Sequence, residues 1–556
     1  MAVEQHHRPR VRAGLDRRPL RAVLLGAIVV LGAVVRFLGI RMGLPFHHHW
    51  DEGWIVDSAA DMLRHGSDVP RSYQYGAPLM RLTEFAFLAT HGWRLPVELD
   101  VEEAQVTLYA MARMATAVIA SSGVVAVYWA GSRSEPSRAR GGRIGLASAL
   151  AYATAWELVL HSRYGVTDAC LVALTAWTLA FAAMYASTRR LAWAFASVLA
   201  AGVTTAFKVP GLVTVVVPVA ALLLVRAPSS RRGAFLYRLV LVAAIPTVAG
   251  VYVLSNPHVI DRAGDAARDI IGRMKQTHDG GSSSIYLREP GLPHLASALR
   301  AIAIHFLHRT AVLSLLFTAV ALGGLVSAVR SKRTIVTVAL AHAILLVLSV
   351  ALPNRVFWIR NYLVVTPCLC LGFGYGLVGL IEEVRARLGP PRRAMALAAI
   401  GVVASMGLVV SPLGYAVAGQ KMQADPRSQA LDWIAGHASA NGAVRVGLTP
   451  SVFGKATPGT YAGLRELESR ANLNIAANDL ETCPPPDGPD YVVDASYRDL
   501  GRAEASDPYA PQWTFTGCPG YEQVATFASN PYEYDDDTQP TWIGRVSVIL
   551  LRRDSH

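Results

Sequence analysis

Long apolar runs, broken by short polar and arginine-rich turns, set the pattern of this chain. Stretches apolar enough to cross about 30 Å of hydrocarbon fall at roughly 20–40, 104–131, 143–161, 166–188, 191–208, 209–226, 236–255, 304–329, 334–352, 361–381 and 394–416. The pattern predicts a polytopic α-helical membrane protein with about eleven transmembrane helices. The turns alternate in charge. Arginine clusters at Arg8 to Arg21, Arg133 to Arg143, Arg189-Arg190, Arg226 to Arg238, Arg330 to Arg333 and Arg385 to Arg393 mark every second connection. Basic connections stay in the cytoplasm. The N-terminus is therefore expected inside, and an odd number of crossings puts everything after about residue 417 outside. The first run lacks a small-residue cleavage site and acids follow it closely, so it reads as a retained helix rather than a signal peptide.

Three segments expected outside the membrane are longer than a turn: about 41–103, about 256–303, and the tail from about 417. In the first, Ile55, Ala59, Met62 and Leu63 fall at helical spacing and predict a helix along the membrane surface. The stretch "HGSDVPRSYQYGAPL" follows as loop. In the second, "NPHVIDRAGDAARDIIGRMKQTHDG" ends in the run Gly280 to Ser284, which reads as a flexible loop. The tail opens with the helical pattern "DPRSQALDWIAGHAS", then strand-like runs at Val444–Leu448, Tyr491–Val493, Val524–Phe527 and Val546–Leu551. The chain thus divides into a membrane domain, 1–416, and a small outward-facing α/β domain, 417–556.

Composition agrees with this reading. Only 17% of residues are charged, against about a quarter in soluble chains. The net charge of +12 raises the question of nucleic acid. However, the arginines sit where topology needs them and no basic face with interleaved aromatics appears, so nucleic acid is set aside. Cys170, Cys368 and Cys370 lie in apolar runs as packing residues, whereas Cys483 and Cys518 lie in the outside tail, where a structural disulfide is expected. The acidic stretch Tyr532 to Asp537 reads as a solvated loop.

Ionisable residues at membrane depth are costly, so each needs a reason. Glu157, His161, Arg163 and Asp168 cluster around one outward turn, "ELVLHSRYGVTDACL"; Lys208 ends the fifth run; Arg360, Asn361 and Tyr362 open the tenth. By the predicted topology all reach the same side as Asp51 and Glu52, in "HHHWDEGW". Plainer readings stand beside this one: Asp168 as an N-cap, Lys208 as a snorkelling end residue, Asp51 and Glu52 as the solvated start of a helix. His47, His49 and Asp51 can converge on a zinc or manganese ion if the segment is extended. The alternative is that the histidines hydrogen-bond the acids or a substrate. A divalent metal is thus a possible cofactor, with its ligands unknown.

The order of the pieces resembles a known superfamily. An Asp-Glu pair in the first outside loop, "YQYGAPL" about twenty residues later, "HSRYGVTDACLVAL", "AFKVPGL", a late "RNYLVVTP" and an outward tail are similar to the GT-C membrane glycosyltransferases. The likeness is to the protein O-mannosyltransferase and aminoarabinose transferase group and its bacterial family 39-like members, over roughly residues 20–416. It implies transfer of a sugar from a polyprenyl-phosphate carrier to an acceptor (glycan, lipid or protein) on the outer membrane face, with inversion. By the resemblance Asp51 is the general base, Glu52 supports the loop or acceptor, and Asp168 lies in the same cavity. Some members carry a phosphate-holding lysine in the segment matching Tyr73 to Leu79, where this chain has Tyr75-Gly76-Ala77-Pro78. The carrier phosphate is then expected to meet Arg163, Lys208 and Arg360. His49, Tyr75, His161, His258, Asn361 and Tyr362 are expected to support substrate or loop. The rival readings are a transporter or flippase of lipid-linked substrates, which predicts repeat symmetry and midplane acids, and a non-catalytic assembly protein on the same fold.

Overall fold

The computed structural model describes residues 18–41, 44, 49–66, 69–93, 102–225, 230–279 and 287–421, and in the tail 429–430, 433–434, 436, 444–448, 473–477, 488–496, 521–528 and 547–553. The helices in chain order are α1 (Arg18–Phe37), α2 (Trp50–His65), α3 (Ala77–Thr90), α4 (Glu102–Arg133), α5 (Arg138–Thr154), α6 (Trp156–His161), α7 (Thr167–Thr188), α8 (Leu191–Phe207) and α9 (Val216–Leu224). They continue with α10 (Arg231–Ser255), α11 (His258–Asp261), α12 (Ala263–Asp279), α13 (Leu292–His305), α14 (Ala311–Arg330), α15 (Thr334–Ala351), α16 (Thr366–Arg387), α17 (Pro390–Ser405) and α18 (Ser411–Lys421).

The eleven predicted apolar runs are largely helical, although that at 304–329 includes a non-helical stretch, 306–310, between α13 and α14. Eight stretches, from Pro19–Phe37 to Pro390–Val417, are long and apolar enough to cross a membrane, and Leu191–Phe207 and Val209–Leu224 are apolar but shorter. The run at 143–161 is cut at Ala155, whose extended backbone (φ −54°, ψ 115°) separates α5 from the six-residue α6. A helix broken among buried residues leaves carbonyls without partners. Arg36 of α1 supplies them: its guanidinium donates to Ala153 O at 2.7 Å and to Tyr152 O at 3.1 Å.

A single large core joins α2, α4, α5, α7, α14, α15 and α16. Close approach at its centre depends on glycine. A Cβ on Gly324 of α14 would lie 1.9 Å from Gly372 O of α16, so no larger residue fits between these helices. By contrast, α10 and α17 leave Val242, Ile245, Met395 and Val402 exposed, as suits helices bordered by lipid. The arginine-rich turns are also joined to one another. Glu135 pairs with Arg140 at 2.8 Å and Arg333 at 3.2 Å, and Glu382 pairs with Arg140 at 3.0 Å and Arg143 at 2.9 Å, which ties three basic connections together.

Two expectations for the first long segment are revised. Helix α2 is not a surface helix, because Ile55, Ala59 and Met62 enter the main core while Val56, Ala60 and Leu63 pack on Phe87, Leu108, Tyr109 and Ala112. The stretch expected to be loop ends in a further helix, α3, which starts at Gly76 with Pro78 in its first turn. In the second segment, α11 and α12 precede Gly280 to Ser284, which lie outside the described residues.

In the tail, five strands form one sheet in the order β2-β1-β3-β5-β4: β1 (Val444–Leu448), β2 (Leu473–Ala477), β3 (Tyr491–Ser496), β4 (Tyr521–Ala528) and β5 (Ser547–Arg553). The first three are parallel, and β5 runs antiparallel to β3 and β4. Four coincide with the strand-like runs read from sequence; β2, only five residues long, does not. Cys483, Cys518 and the acidic stretch 532–537 lie outside the described residues. Cys170, Cys368 and Cys370 are buried free thiols.

Candidate active site

The start of α2 places two acids in different surroundings. His49 caps the helix, its Nδ1 accepting from the Asp51 N–H at 3.2 Å. One turn of backbone then aims Glu52 inward toward α4. There both its oxygens are taken by Arg113, whose Nε and Nη2 donate at 2.8 Å each, and its Oε1 also accepts from Gly165 N–H at 2.7 Å. Arg113 donates in addition to Ile40 O at 2.9 Å. Glu52 thus pins together α2, α4, the end of α1 and the turn before α7.

Asp51 faces elsewhere. Its Oδ2 lies 2.8 Å from Arg360 Nη1, off the line of the N–H, so the contact is an ion pair without an aligned hydrogen bond. A second pair stands beside it. Lys208 Nζ donates to Asp168 Oδ1 at 2.7 Å, while Asp168 Oδ2 has no hydrogen-bond partner among the described residues. All four side chains are less than a tenth exposed, which makes this a desolvated cluster of two carboxylates and two cations.

Each member has a local reason for its place. Asp168 opens α7 in its first turn, where an acid suits the helix dipole. Lys208 ends α8 in extended conformation and pairs by backbone with Tyr75, whose ring lies 5.2 Å from Lys208 Nζ. Gly76 permits that docking: its N–H donates to Phe207 O at 3.0 Å, and a Cβ there would lie 1.6 Å from Ala206 O. Asn256 locks the same strand, accepting from Ala77 N–H at 2.8 Å and donating to Ala206 O at 3.3 Å. Arg360 lies in a 3-10 turn, Ile359–Val365, with its guanidinium 3.9 Å over the Trp358 ring.

Electrostatics follow from burial and these partners. Burial alone would raise the Asp51 pKa, but the neighbouring cations, Arg360 first and Lys208 after it, outweigh it and hold the carboxyl below its ordinary value. Glu52 is likewise lowered, burial being overcome by Arg113 and the Gly165 amide. Burial pushes the His49 imidazole down to about 3, so it is neutral at physiological pH. Both His49 nitrogens face donors, Nδ1 the Asp51 N–H at 3.2 Å and Nε2 the Arg360 Nη1 at 3.3 Å, and a neutral ring accepts from one of them at a time. Burial and the charge of Asp51 push the Tyr75 phenol well above its usual value.

The remaining expected residues divide. His161 stands at the edge of the cluster, its ring 5.9 Å from that of His49, its Nε2 3.5 Å from Glu157 and its Nδ1 buried without a partner among the described residues. Arg163 turns away from the cluster: Nε and Nη2 both donate to Val35 O, at 3.1 and 2.7 Å, so it braces α1. Tyr362 donates to or accepts from His294 Nε2 at 2.7 Å, and His294 Nδ1 meets Asn354 O at 2.6 Å, a packing chain behind Arg360. Asn361 is half-buried, with its N–H on Trp358 O. His258 packs 5.5 Å from the Tyr73 ring, and burial and then Arg81 lower its pKa to about 4. His47 and His48 lie outside the described residues. Among the described residues no group of three His, Cys, Asp or Glu side chains is placed to hold a metal ion. Because His47 lies outside the described residues, the expected set of His47, His49 and Asp51 is described only in part, by His49 and Asp51.

Three residues that matter were missed in the sequence: Arg113, Arg36 and Asn256. The two arginines lie inside apolar runs, where an ionisable residue at membrane depth is itself the signal. Asn256 begins the "NPHV" segment and carries no comparable mark.

No protein-family model matches the chain, and neither does any curated protein sequence. Solved structures do. ArnT from Cupriavidus metallidurans bound to undecaprenyl phosphate superposes with a TM-score of 0.50 at 16% identity, over 96% of this chain and 98% of that one. The apo oligosaccharyltransferase from Archaeoglobus fulgidus gives 0.51 at 12% identity over 86% of this chain and 70% of that one. The archaeal oligosaccharyltransferase AglB from the same organism, in complex with an inhibitory peptide and a dolichol-phosphate, gives 0.51 at 11% identity over 86% and 69%. The chain has the GT-C fold. In this GT-C chain the paired charges of α2, α7, α8 and the Arg360 turn set four buried ionisable side chains in two ion pairs, apart from the Glu52–Arg113 clamp.

Proposed function

We propose that this GT-C protein is a membrane glycosyltransferase that moves a sugar from a polyprenyl-phosphate carrier to an acceptor hydroxyl at the outer face of the membrane. The observation that carries the reading is the buried cluster of Asp51, Asp168, Lys208 and Arg360. It combines an ionised carboxylate that can take a proton with two cations suited to a phosphate. The fold is shared with ArnT, whose solved form binds undecaprenyl phosphate, and with AglB, whose solved form holds a dolichol-phosphate.

In the proposed reaction the acceptor oxygen attacks the anomeric carbon, the carbon–oxygen bond to the phosphate breaks, and the bonding pair leaves with the carrier phosphate. Asp51 removes the hydroxyl proton as the new bond forms. A single displacement inverts the anomeric centre, unlike the two-carboxylate double displacement of retaining glycosidases. Phosphate is a good leaving group at neutral pH, so neutralisation of its charge by Lys208 and Arg360 matters more than a general acid. Glu52 acts through position: it fixes the first turn of α2, and with it Asp51.

The test is to incubate the purified full-length protein with radiolabelled polyprenyl-phosphate sugars and acceptor lipid or glycan fractions, with and without a chelator. Consumption of one donor by the wild type and loss of that consumption in Asp51→Asn are expected. A folded Asp51→Asn protein with near-normal turnover removes Asp51 as the base.

A further inference from the structure

We infer that the carrier phosphate and the two carboxylates compete for the same two cations, so that donor binding itself frees Asp51 from Arg360. The inference rests on the polyprenyl-phosphate reading above and concerns how that site is controlled.

Charge balance is the starting point. Two carboxylates and two cations, all buried, sum to zero: Asp51 with Arg360 at 2.8 Å and Asp168 with Lys208 at 2.7 Å. Neither pair is closed in the way Glu52 is. Asp51 Oδ2 lacks an aligned donor, and Asp168 Oδ2 has no hydrogen-bond partner among the described residues. His49 Nε2 lies 3.3 Å from Arg360 Nη1, so an imidazole nitrogen able to donate or accept stands beside the cation. The cations themselves are held from behind. Trp358 lies under Arg360 at 3.9 Å and Tyr75 under Lys208 at 5.2 Å, so they stay in place when their carboxylates let go.

A phosphate entering a neutral, desolvated cluster gains little unless it takes the place of an existing anion, because like charges a few ångströms apart repel strongly away from water. In the resting protein, therefore, Arg360 holds Asp51 as a weak base. Once the phosphate oxygens occupy Arg360 and Lys208, Asp51 loses its nearest positive neighbour and gains a negative one, and its proton affinity rises where the acceptor hydroxyl must be deprotonated. The base becomes competent only with the donor in place.

The consequence runs against the usual effect of removing a site residue: Asp51→Asn should bind carrier phosphate more tightly while losing transfer. Affinity of full-length protein in detergent for undecaprenyl phosphate would be measured for the wild type, Asp51→Asn, Asp168→Asn and the double variant Asp51→Asn/Arg360→Gln, with melting and gel filtration to check folding. Each single variant should bind about tenfold tighter than wild type, since the cluster gains one net positive charge. The double variant should lose that gain. Asp168→Asn carries the same test at the second pair if Asp51→Asn does not fold. Inorganic phosphate should show the same order of affinities at higher concentration. If wild type binds undecaprenyl phosphate and the folded single variants bind it equally or more weakly, the competition is overturned and the carrier reading stands. If no protein binds it, the carrier reading falls and takes the competition with it.

Discussion

Two adjacent acids, Asp51 and Glu52, open the same helix and share almost complete burial, yet they occupy opposite electrostatic situations. Glu52 accepts two guanidinium bonds and a backbone amide, all at 2.7–2.8 Å, and nothing about it is left to satisfy. Asp51 has a misaligned ion pair and stands next to a second pair with an oxygen to spare. A buried charge that is fully hydrogen-bonded specifies structure, while one that is incompletely paired holds capacity for something else. The comparison separates a clamp from a site within one peptide bond.

The largest effect expected on either side is at Asp51. Replacing it by Asn should lower sugar transfer about a thousandfold, in the range a positioned general base contributes, with a smaller drop in melting temperature than Glu52→Gln because the Asp51–Arg360 pair lacks an aligned hydrogen bond. A loss of activity matched by a loss of folding would erase the distinction between the two acids. Next comes Glu52→Gln, which leaves Arg113 buried beside a neutral amide. It should cost about 3–5 kcal/mol of stability, seen as loss of expressed, monodisperse protein or a large drop in melting temperature. An equal and mild destabilisation by both substitutions would show that the clamp and the site are one network. Arg163→Met should resemble Glu52→Gln on a smaller scale, because its guanidinium serves the Val35 carbonyl; a specific fall in undecaprenyl phosphate affinity with unchanged melting would return Arg163 to the cluster.

How far the sequence showed this depends on the kind of signal. Apolar runs gave the helices directly, since each must satisfy its own backbone in lipid. Asp168, Lys208 and Arg360 were legible because each borders an apolar run and Asp51 because it follows the first one, and the predicted topology puts all four on one side. The partner of Glu52 was not. Arg113 lies in the middle of the run at 104–131, 61 positions from Glu52, and no local spacing links them. Arg36 was hidden for the same reason, since the carbonyls it caps exist only because α5 breaks at Ala155, a break that no proline marks. Arg163 was expected beside the carrier phosphate because its position in the turn before α7 gives its depth but not its direction; its Nε and Nη2 donate to the Val35 carbonyl. Packing decides direction, and packing is non-local.

The smallest effect expected is also the most selective. His49 contributes a neutral imidazole to the cap of α2, and its pKa is about 3 in the folded protein against about 6.5 in an unfolded chain. Between those values the unfolded state binds more protons, so the stabilisation is complete above pH 6.5 and is lost as pH falls toward 3. Protonation would remove the Nδ1 acceptor from the Asp51 amide and set a second positive charge against Arg360, with only Asp51 and Glu52 nearby to oppose it and His161 alongside. His258, with a pKa near 4, adds a weaker dependence of the same sign. His49→Asn keeps a capping oxygen but cannot titrate. Melting of this variant between pH 7 and 5 should be flatter than wild type, by at most about 1.4 kcal/mol per pH unit, with a residual slope left by the other displaced groups, His258 and, with the opposite sign, Asp57, which burial raises to about 6. An unchanged slope would mean that the imidazole beside Arg360 is already protonated in the folded protein; Asp51 would then face two cations, and its contrast with Glu52 would be one of geometry alone.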